Sequence, residues 1–420
     1  MTSEQLLKAF SRYCDVYKFD DFWTRGNTFD ALLRVYKSAK AKWKGDSYVS
    51  KMDTLLRAVA IENINYLGSK INADYWADDY GWWGIAALSA RDYFKGRDEP
   101  QNAATYLKLA RQCWDTMQKG YDKNPDIRPF PYGCGNSNGS RKGTKNTVTN
   151  ATLFLLSQRL YQIMKPDPVA VPYLQMAYRQ YKWFDSWFNL AGNDYFKTFQ
   201  TPAPPHGLVQ ERPIAPPDYE QQDMVPTWEP GWVWSADQGL LLGGLIEFLS
   251  IAGSSADAAE LSEILGETEA ETVATNLSQQ ISLIMYGVGA LLVGEDNVLR
   301  EAPFNSSFID DPKDYVCGRG VLFRYVSEHY DYFGTYFDDV IKATAEAVWD
   351  SGNTGGTSPT YQFAADWTPG KNQSFNEAFI KIWGDGDMVT TWQLGTPNNM
   401  INGILQAAGL DVIGSAIRFA

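Results

Sequence analysis

Apolar residues recur at three- and four-residue steps in window after window of this chain, the spacing that gathers them on one face of an α-helix. The windows fall into pairs. Residues 29–43 and 52–67 form a first helical hairpin, 82–94 and 103–117 a second, and 147–163 and 173–188 a third. Residues 240–252 and 270–285 form a fourth, 321–330 and 337–349 a fifth, and 375–383 with 399–408 a weaker sixth. Runs with β-strand character are few and short. Long polar segments rich in Gly, Pro and Asn lie between hairpins at 124–145, 197–230 and 294–312. Loops this long inside a compact domain are more often functional than incidental. None reads as a domain linker, because helical hairpins continue on both sides. Six consecutive hairpins predict an all-α fold, an (α/α)6 barrel with inner helices ringed by outer ones, in a single domain over residues 1–420. A helical solenoid is the structural alternative, but no fixed-period repeat supports it.

Composition narrows the partner. Hydrophobic residues make up 44 % of 420, enough for a large core. The 15 Trp, 24 Tyr and 21 Phe exceed what stands out in most chains. A core accounts for many of them. A carbohydrate groove uses the same residues, since the C–H faces of sugar rings pack on aromatic planes while Asp, Asn and Gln bond the hydroxyls. The net charge of −13 argues against nucleic acid or an anionic membrane as partner, because both need basic patches. It suits a neutral ligand, and it also serves solubility alone.

Cys14, Cys113, Cys134 and Cys317 are far apart and contain no CxxC pair. They leave room for a disulfide or two and argue against zinc. The chain has only two histidines, His206 and His329, which disfavours catalysis by a histidine pair. His206, in the Pro-rich stretch 202–217, is expected in a loop. No run of about 18 apolar residues predicts a transmembrane helix. The N-terminal stretch lacks the apolar core of a signal peptide, so the expectation is a cytoplasmic protein or a chain that begins after a removed signal.

The strongest local signal is Tyr75-Trp76-Ala77-Asp78-Asp79-Tyr80-Gly81-Trp82-Trp83. Two acids stand side by side at a helix start, bracketed by aromatics. Glycosidic cleavage needs one carboxylic acid to protonate the leaving oxygen and a second carboxylate to attack or to activate water. Retaining enzymes hold the two about 5–5.5 Å apart. Adjacent Cα atoms are about 3.8 Å apart, so neighbouring side chains can reach that spacing if both face one pocket. The simpler reading is that Asp78 or Asp79 only caps the helix.

The segment Asp78-Asp79-Tyr80-Gly81-Trp82-Trp83-Gly84 resembles the DD-x-x-WW segment of glycoside hydrolase family 76, the endo-α-1,6-mannanases and their fungal cell-wall relatives. Three further segments follow in family order. Lys145-Asn146-Thr147-Val148-Thr149-Asn150 resembles K-N-x-x-[ST]-N. Trp234-Ser235-Ala236-Asp237-Gln238-Gly239, followed by 242–247, resembles W-x-Y-N-Q-G and GG-L-x-E. Residues 318–325, Gly318 to Tyr325 with Arg319 second, resemble F-K-G-I-F-x-R-Y. The resemblance runs from about Asp78 to Tyr330. It implies an (α/α)6 barrel and a retaining mechanism, with Asp78 as nucleophile and Asp79 as general acid/base. The chain departs from the pattern at Asp237, where the family has Asn, and at Arg319, where it has Lys. Residues 133–136, Gly133-Cys134-Gly135-Asn136, lack the paired Trp that usually follows the family's glycine cluster.

The same resemblance makes Trp82, Trp83, Asn146, Asn150, Trp234, Asp237, Gln238 and Arg319 candidate substrate-binding residues. Each has a plainer reading. Asn146 and Asn150 share a helix face and can bond sugar hydroxyls or bridge helices. Asp237 and Gln238 open a helix, where capping is common. Trp82, Trp83, Trp232 and Trp234 serve as sugar platforms or core wedges. Trp82 and Trp83 diverge by about 100° on a helix and do not both face one cleft.

The reading is therefore a glycoside hydrolase acting on an α-1,6-mannan-like polysaccharide or oligosaccharide by hydrolysis or transglycosylation, without metal or cofactor, as a monomer. The resemblance favours an extracellular or cell-envelope location. One rival is another (α/α)6 sugar enzyme resembling the N-acylglucosamine 2-epimerases, which use histidines absent from these motifs. Another is a non-catalytic glycan-binding homologue.

Overall fold

The computed structural model describes residues 1–17, 21–121, 133–136, 145–188, 196–200, 203–211, 233–265, 267–301, 313–352, 360–364, 366–368, 370–371, 374 and 399–420. The elements in chain order are α1 (Ser3–Val16), α2 (Phe22–Lys42), α3 (Ser47–Lys70), α4 (Ala77–Lys95), α5 (Pro100–Tyr121), α6 (Thr147–Met164) and α7 (Val171–Phe188). Strands β1 (Phe196–Phe199) and β2 (His206–Val209) follow, then α8 (Ser235–Gly253), α9 (Ser255–Leu265) and α10 (Glu267–Gly287). The chain continues with α11 (Lys313–Gly318), α12 (Val321–Glu328), α13 (Tyr330–Phe333), α14 (Asp338–Ser351) and α15 (Asn399–Ala416).

Six helices close a ring: α2 packs on α4, α4 on α6, α6 on α8, α8 on α12, α12 on α15, and α15 back on α2. Outside it, α3, α5, α7, α10 and α14 each pack against an inner helix, and α1 packs on both α3 and α15. This is an (α/α)6 barrel. Burial separates the two layers. In α8 nearly every residue from Ser235 to Ile246 is buried, as a helix enclosed on all sides requires. In α3 the buried residues are Val49, Met52, Leu56, Ala60, Asn63 and Leu67, one stripe at helical spacing. Inner helices meet closely where glycine removes the side chain. A Cβ on Gly239 of α8 would lie 2.6 Å from Leu322 Cα at the start of α12, so only Gly fits there.

Two elements differ from the sequence reading. The sixth inner helix, α15, contains the expected window 399–408, while the partner window 375–383 lies outside the described residues. A helix that was not among the expected ones, α1, packs beside α15 in the outer layer. Gln406 Nε2 of α15 donates to the Ala9 carbonyl of α1 at 2.9 Å. The start of α1 is marked by a capping box: Gln5 N donates to Thr2 Oγ1, and Thr2 N donates to Gln5 Oε1. The second difference lies in the stretch 197–230, read as a loop. Part of it forms an antiparallel hairpin of β1 and β2, with Phe196 opposite Val209 and Phe199 opposite His206. His206 is thus a buried strand residue, stacked 5.5 Å from Phe199, because β2 lies against α10 and α8.

The inner helices share a charged layer well below their N-termini. Arg34 of α2 bonds Asp30 at 2.7 Å and Glu328 at 2.7 Å. Arg159 of α6 bonds Glu247 at 2.5 Å and Glu328 at 2.7 Å. Arg324 of α12 makes a two-point pair with Asp411 of α15 at 2.8 and 2.7 Å. Ser89 of α4 donates to Asp30 at 2.6 Å. These bonds link all six inner helices into one register. The four cysteines are free thiols. Among the described residues no single helix is long and apolar enough to cross a membrane.

Candidate active site

At the other end of the ring the inner helices begin. Ala77 opens α4 behind Trp76, the N-cap, whose side chain makes no capping bond. Asp78 and Asp79 therefore hold the second and third helical positions, where unpaired backbone N–H groups and the helix dipole favour negative charge. Asp79 is buried and Asp78 half-buried. Asp78 Oδ1 accepts the Thr149 hydroxyl at 3.2 Å, which joins the first turn of α4 to the first turn of α6.

A carboxylate from outside the helix anchors the start of α6. Asn146 is its N-cap but makes no capping bond of its own. Glu211, two residues beyond β2, supplies it. Val148 N donates to Glu211 Oε2 at 3.1 Å, Asn146 Nδ2 donates to Oε1 at 2.6 Å, and Thr147 N donates to the Glu211 carbonyl at 2.8 Å. Asn146 Oδ1 is buried and takes no hydrogen bond from the described residues. Lys145, just ahead, is buried, and that burial pushes its ammonium down to about 8 against the opposing effect of Cys134.

The start of α8 repeats the device. Trp234, half-buried, is its N-cap and makes no side-chain capping bond. Glu301 receives Ser235 N at 2.8 Å and also the Ser235 hydroxyl. Burial pushes the Glu301 carboxyl up to about 6, outweighing the Ser235 bonds and the Arg319 guanidinium. Arg319, just before α12, stacks 4.0 Å over the Trp367 ring. Asp237 is fully buried in the first turn of α8. Burial first, then Glu211 and Glu301, raise its carboxyl well above the usual range. Asp78, Thr149, Asn146, Glu211, Asp237, Ser235, Glu301 and Arg319 thus form one connected arc across four inner-helix starts.

The sequence profile of glycosyl hydrolase family 76 matches residues 5–201, which include α4, its acid pair and α6. Over this stretch, just under half of its length, the chain is similar to that family. A mannan endo-1,6-alpha-mannosidase of Saccharomyces cerevisiae is 23 % identical over 260 residues, 60 % of this chain and 49 % of that protein. A counterpart from Candida glabrata is 21 % identical over 260 residues, 60 % of this chain and 50 % of that protein. The chain spans about half the length of these curated relatives. Its fold is similar to that of an alpha-1,6-mannanase of a Salegentibacter species, with a TM-score of 0.58, 16 % identity and coverage of 100 % of this chain and 99 % of that one. It is similar also to the Lin0763 protein of Listeria innocua, with a TM-score of 0.56, 16 % identity and coverage of 96 % and 86 %.

Several expected binding residues do other work. Asn150 donates both amide hydrogens, to Cys134 O at 3.1 Å and Asn146 O at 2.7 Å, and accepts Cys134 N at 2.6 Å. Gln238 accepts Val209 N at 3.0 Å and donates to Val209 O at 2.7 Å and Trp234 O at 3.1 Å. Both are fully buried, with every amide hydrogen used on backbone, so they build the wall instead of presenting donors to a sugar. Trp83 is sealed among Phe22, Phe29 and Tyr66, and its Nε1 donates to Phe22 O at 2.6 Å. That makes it a core wedge. Trp82 is nearly as buried and tilts against Trp23 at 6.1 Å.

Five residues of the arc or its edge escaped the sequence reading. Thr149 and Ser235 lie inside quoted motifs but carry no charge. Trp23, half-buried at the second position of α2, sits next to Trp82. Glu211 and Glu301 follow segments of irregular chain, and no local pattern marks them. Cavities of about 470 and 450 Å³ lie elsewhere, toward the far ends of the inner helices, and share Arg34, Lys37 and Glu328. There Glu247, Glu328 and His329 come within 4.8 Å of one another, but Arg159 bridges both carboxylates. Among the described residues that end is a paired ionic layer, with no acid pair free to act on a glycosidic bond.

Proposed function

We propose that this chain is a glycoside hydrolase that cleaves α-1,6-linked mannan with retention of configuration, using Asp78 as nucleophile and Asp79 as general acid/base, with residues 1–420 acting as one catalytic domain. The observation that carries the reading is the different setting of two adjacent acids at one helix start. Asp78 is the more open and has a hydroxyl donor on Oδ1, which suits a carboxylate that must be ionised when it attacks. Asp79 is shielded from solvent, which suits the group that delivers a proton. In the first step Asp79 protonates the glycosidic oxygen while Asp78 attacks the anomeric carbon, giving a glycosyl–enzyme ester. In the second, Asp79 takes a proton from water, which displaces Asp78 and restores the α configuration.

The relatives support the substrate class. Those from Saccharomyces and Candida carry the name mannan endo-1,6-alpha-mannosidase. The Salegentibacter alpha-1,6-mannanase is inactive in a variant with two consecutive aspartates replaced by alanine, and that variant is in complex with alpha-1,6-mannotetrose.

Incubation with a panel of α-mannans and α-glucans, with products analysed by mass, tests the proposal. Shortened α-1,6-manno-oligosaccharides are expected, and the first-formed anomer by NMR should be α. No product from any α-1,6-mannan, or a β anomer formed first, would overturn it.

A further inference from the structure

Asp237 and Glu211 pose a problem in hydrogen bonding. Asp237 is 0 % exposed and Glu211 3 %. No donor among the described residues reaches either oxygen of Asp237. Gln238, the next residue, bonds both backbone groups of Val209, two residues before Glu211, which brings Glu211 beside Asp237, and Glu301 acts on Asp237 as a further negative charge. Two ionised carboxylates are acceptors only and cannot bond each other. A buried carboxylate with no donor and two acidic neighbours is strongly unfavourable. Glu211, by contrast, already receives one donor on each oxygen, Asn146 Nδ2 and Val148 N, which favours its ionised form.

We propose that Asp237 is a neutral carboxylic acid in the folded protein and donates its proton to Glu211, making it a positioning residue that fixes the carboxylate on which the start of α6 is built. The proton resolves all the observations together. It gives Asp237 a partner, removes one of two adjoining negative charges, and leaves Glu211 as the anion that caps α6. Through α6 the bond reaches Thr149, and through Thr149 it reaches Asp78.

The charged groups around Asp237 are accounted for by element. Glu211 comes from the segment after β2 and Glu301 from the segment after α10. Arg319, ahead of α12, acts on Glu301. Lys145 stands ahead of α6, beside Cys134. Burial is the largest cause holding Asp237 neutral, and the two acids add to it. The sign for stability follows. A group whose pKa is raised on folding contributes stability fully at acid pH, and that contribution is lost as pH rises toward the folded value.

Infrared difference spectroscopy of the intact chain reads the proton directly and needs no substrate, so it stands or falls apart from the proposed activity. Wild type minus Asp237→Asn at neutral pH should show the C=O stretch of a protonated carboxyl. The same band should persist in Glu301→Gln. It should shift to higher frequency in Glu211→Gln, where burial still holds the proton but the carboxylate that accepts it is gone. Thermal melts give a second reading: Asp237→Asn should gain on wild type as pH rises from acid to neutral, and Asp237→Ala should melt below Asp237→Asn. Absence of the band at neutral pH, a band of unchanged frequency in Glu211→Gln, or a melting difference between Asp237→Asn and wild type that ignores pH would overturn the proposal.

Discussion

The Thr149 hydroxyl, third residue of α6, donates to Asp78 Oδ1, second residue of α4, across 3.2 Å. It ties the proposed nucleophile to the neighbouring inner helix. Hydrogen bonds to charged groups contribute about 1.5–3 kcal/mol. Thr149→Val keeps the shape and removes the donor. Its expected effect is a roughly 10- to 100-fold fall in kcat/KM on an α-1,6-manno-oligosaccharide, with an unchanged circular dichroism spectrum. A fall of less than about twofold would mean that this bond does not act on the reaction.

The acid pair should divide by leaving group. Asp78→Asn and Asp79→Asn should each lose several orders of magnitude on polysaccharide, because both acids act in the displacement. A highly acidic leaving group needs little protonation, so Asp79→Asn should keep much of its glycosylation rate on such a substrate while Asp78→Asn should not. Azide should restore turnover in Asp79→Asn with an α-configured product. Rescue of Asp78→Asn instead would reverse the roles, and near-normal activity in both would remove the pair from the chemistry.

Gln238 binds both backbone groups of Val209 and so fastens β2 to α8. Gln238→Leu leaves a buried N–H and a buried carbonyl without that partner. Denaturant unfolding should show a loss of about 2–6 kcal/mol, at roughly 1–3 for each unsatisfied group. A loss under about 1 kcal/mol would show that the hairpin is held by other contacts.

Glu301 should leave a pH signature in stability. Its carboxyl is pushed up to about 6 by burial, against about 4.3 unfolded. Because the folded value is the higher, the contribution is complete below about pH 4.3 and lost as pH rises through about 6. The loss is about 2 kcal/mol. Unfolding free energies for Glu301→Gln and wild type should therefore diverge in the variant's favour across that window and run parallel above it. Parallel curves throughout would exclude the raised carboxyl.

At the far end, Arg324 and Asp411 are both almost fully buried and paired at two points. Breaking such a pair from one side costs about 3–5 kcal/mol, because the remaining charge is left without its partner. Asp411→Ala should show that loss in urea unfolding. Arg324→Met with Asp411→Leu together should recover much of it, and a double variant as unstable as the single one would contradict a pairwise origin.

The helices were largely legible. The apolar spacing marked 147–163 and 173–188 within a few residues of α6 and α7, since periodicity is local information. α1 was missed although Thr2 and Gln5 carried a capping signature, because one amphipathic helix at a chain end says nothing of what it will pack against. β2 was missed because four residues amid prolines carry too little alternation. At the site, adjacency made Asp78 and Asp79 visible. Asn150 and Gln238 were read as ligands because an amide on a helix face looks the same in sequence whether its hydrogens meet sugar or backbone.

The sequence by itself determined the all-helical class, the order of the inner and outer layers, and the placing of two acids at a helix start. These depend on residues a few positions apart. Only the tertiary structure decided that α1 packs on α15, through Gln406 and Ala9 at opposite ends of the chain. Only it brought Glu211 to the start of α6 and Glu301 to the start of α8, where carboxylates from elsewhere cap helices whose own N-cap residues, Asn146 and Trp234, make no capping bond. The physical reason is common to all three. A buried N–H must find an acceptor, and which acceptor it finds is settled by how the whole ring closes, with no trace in the few residues on either side.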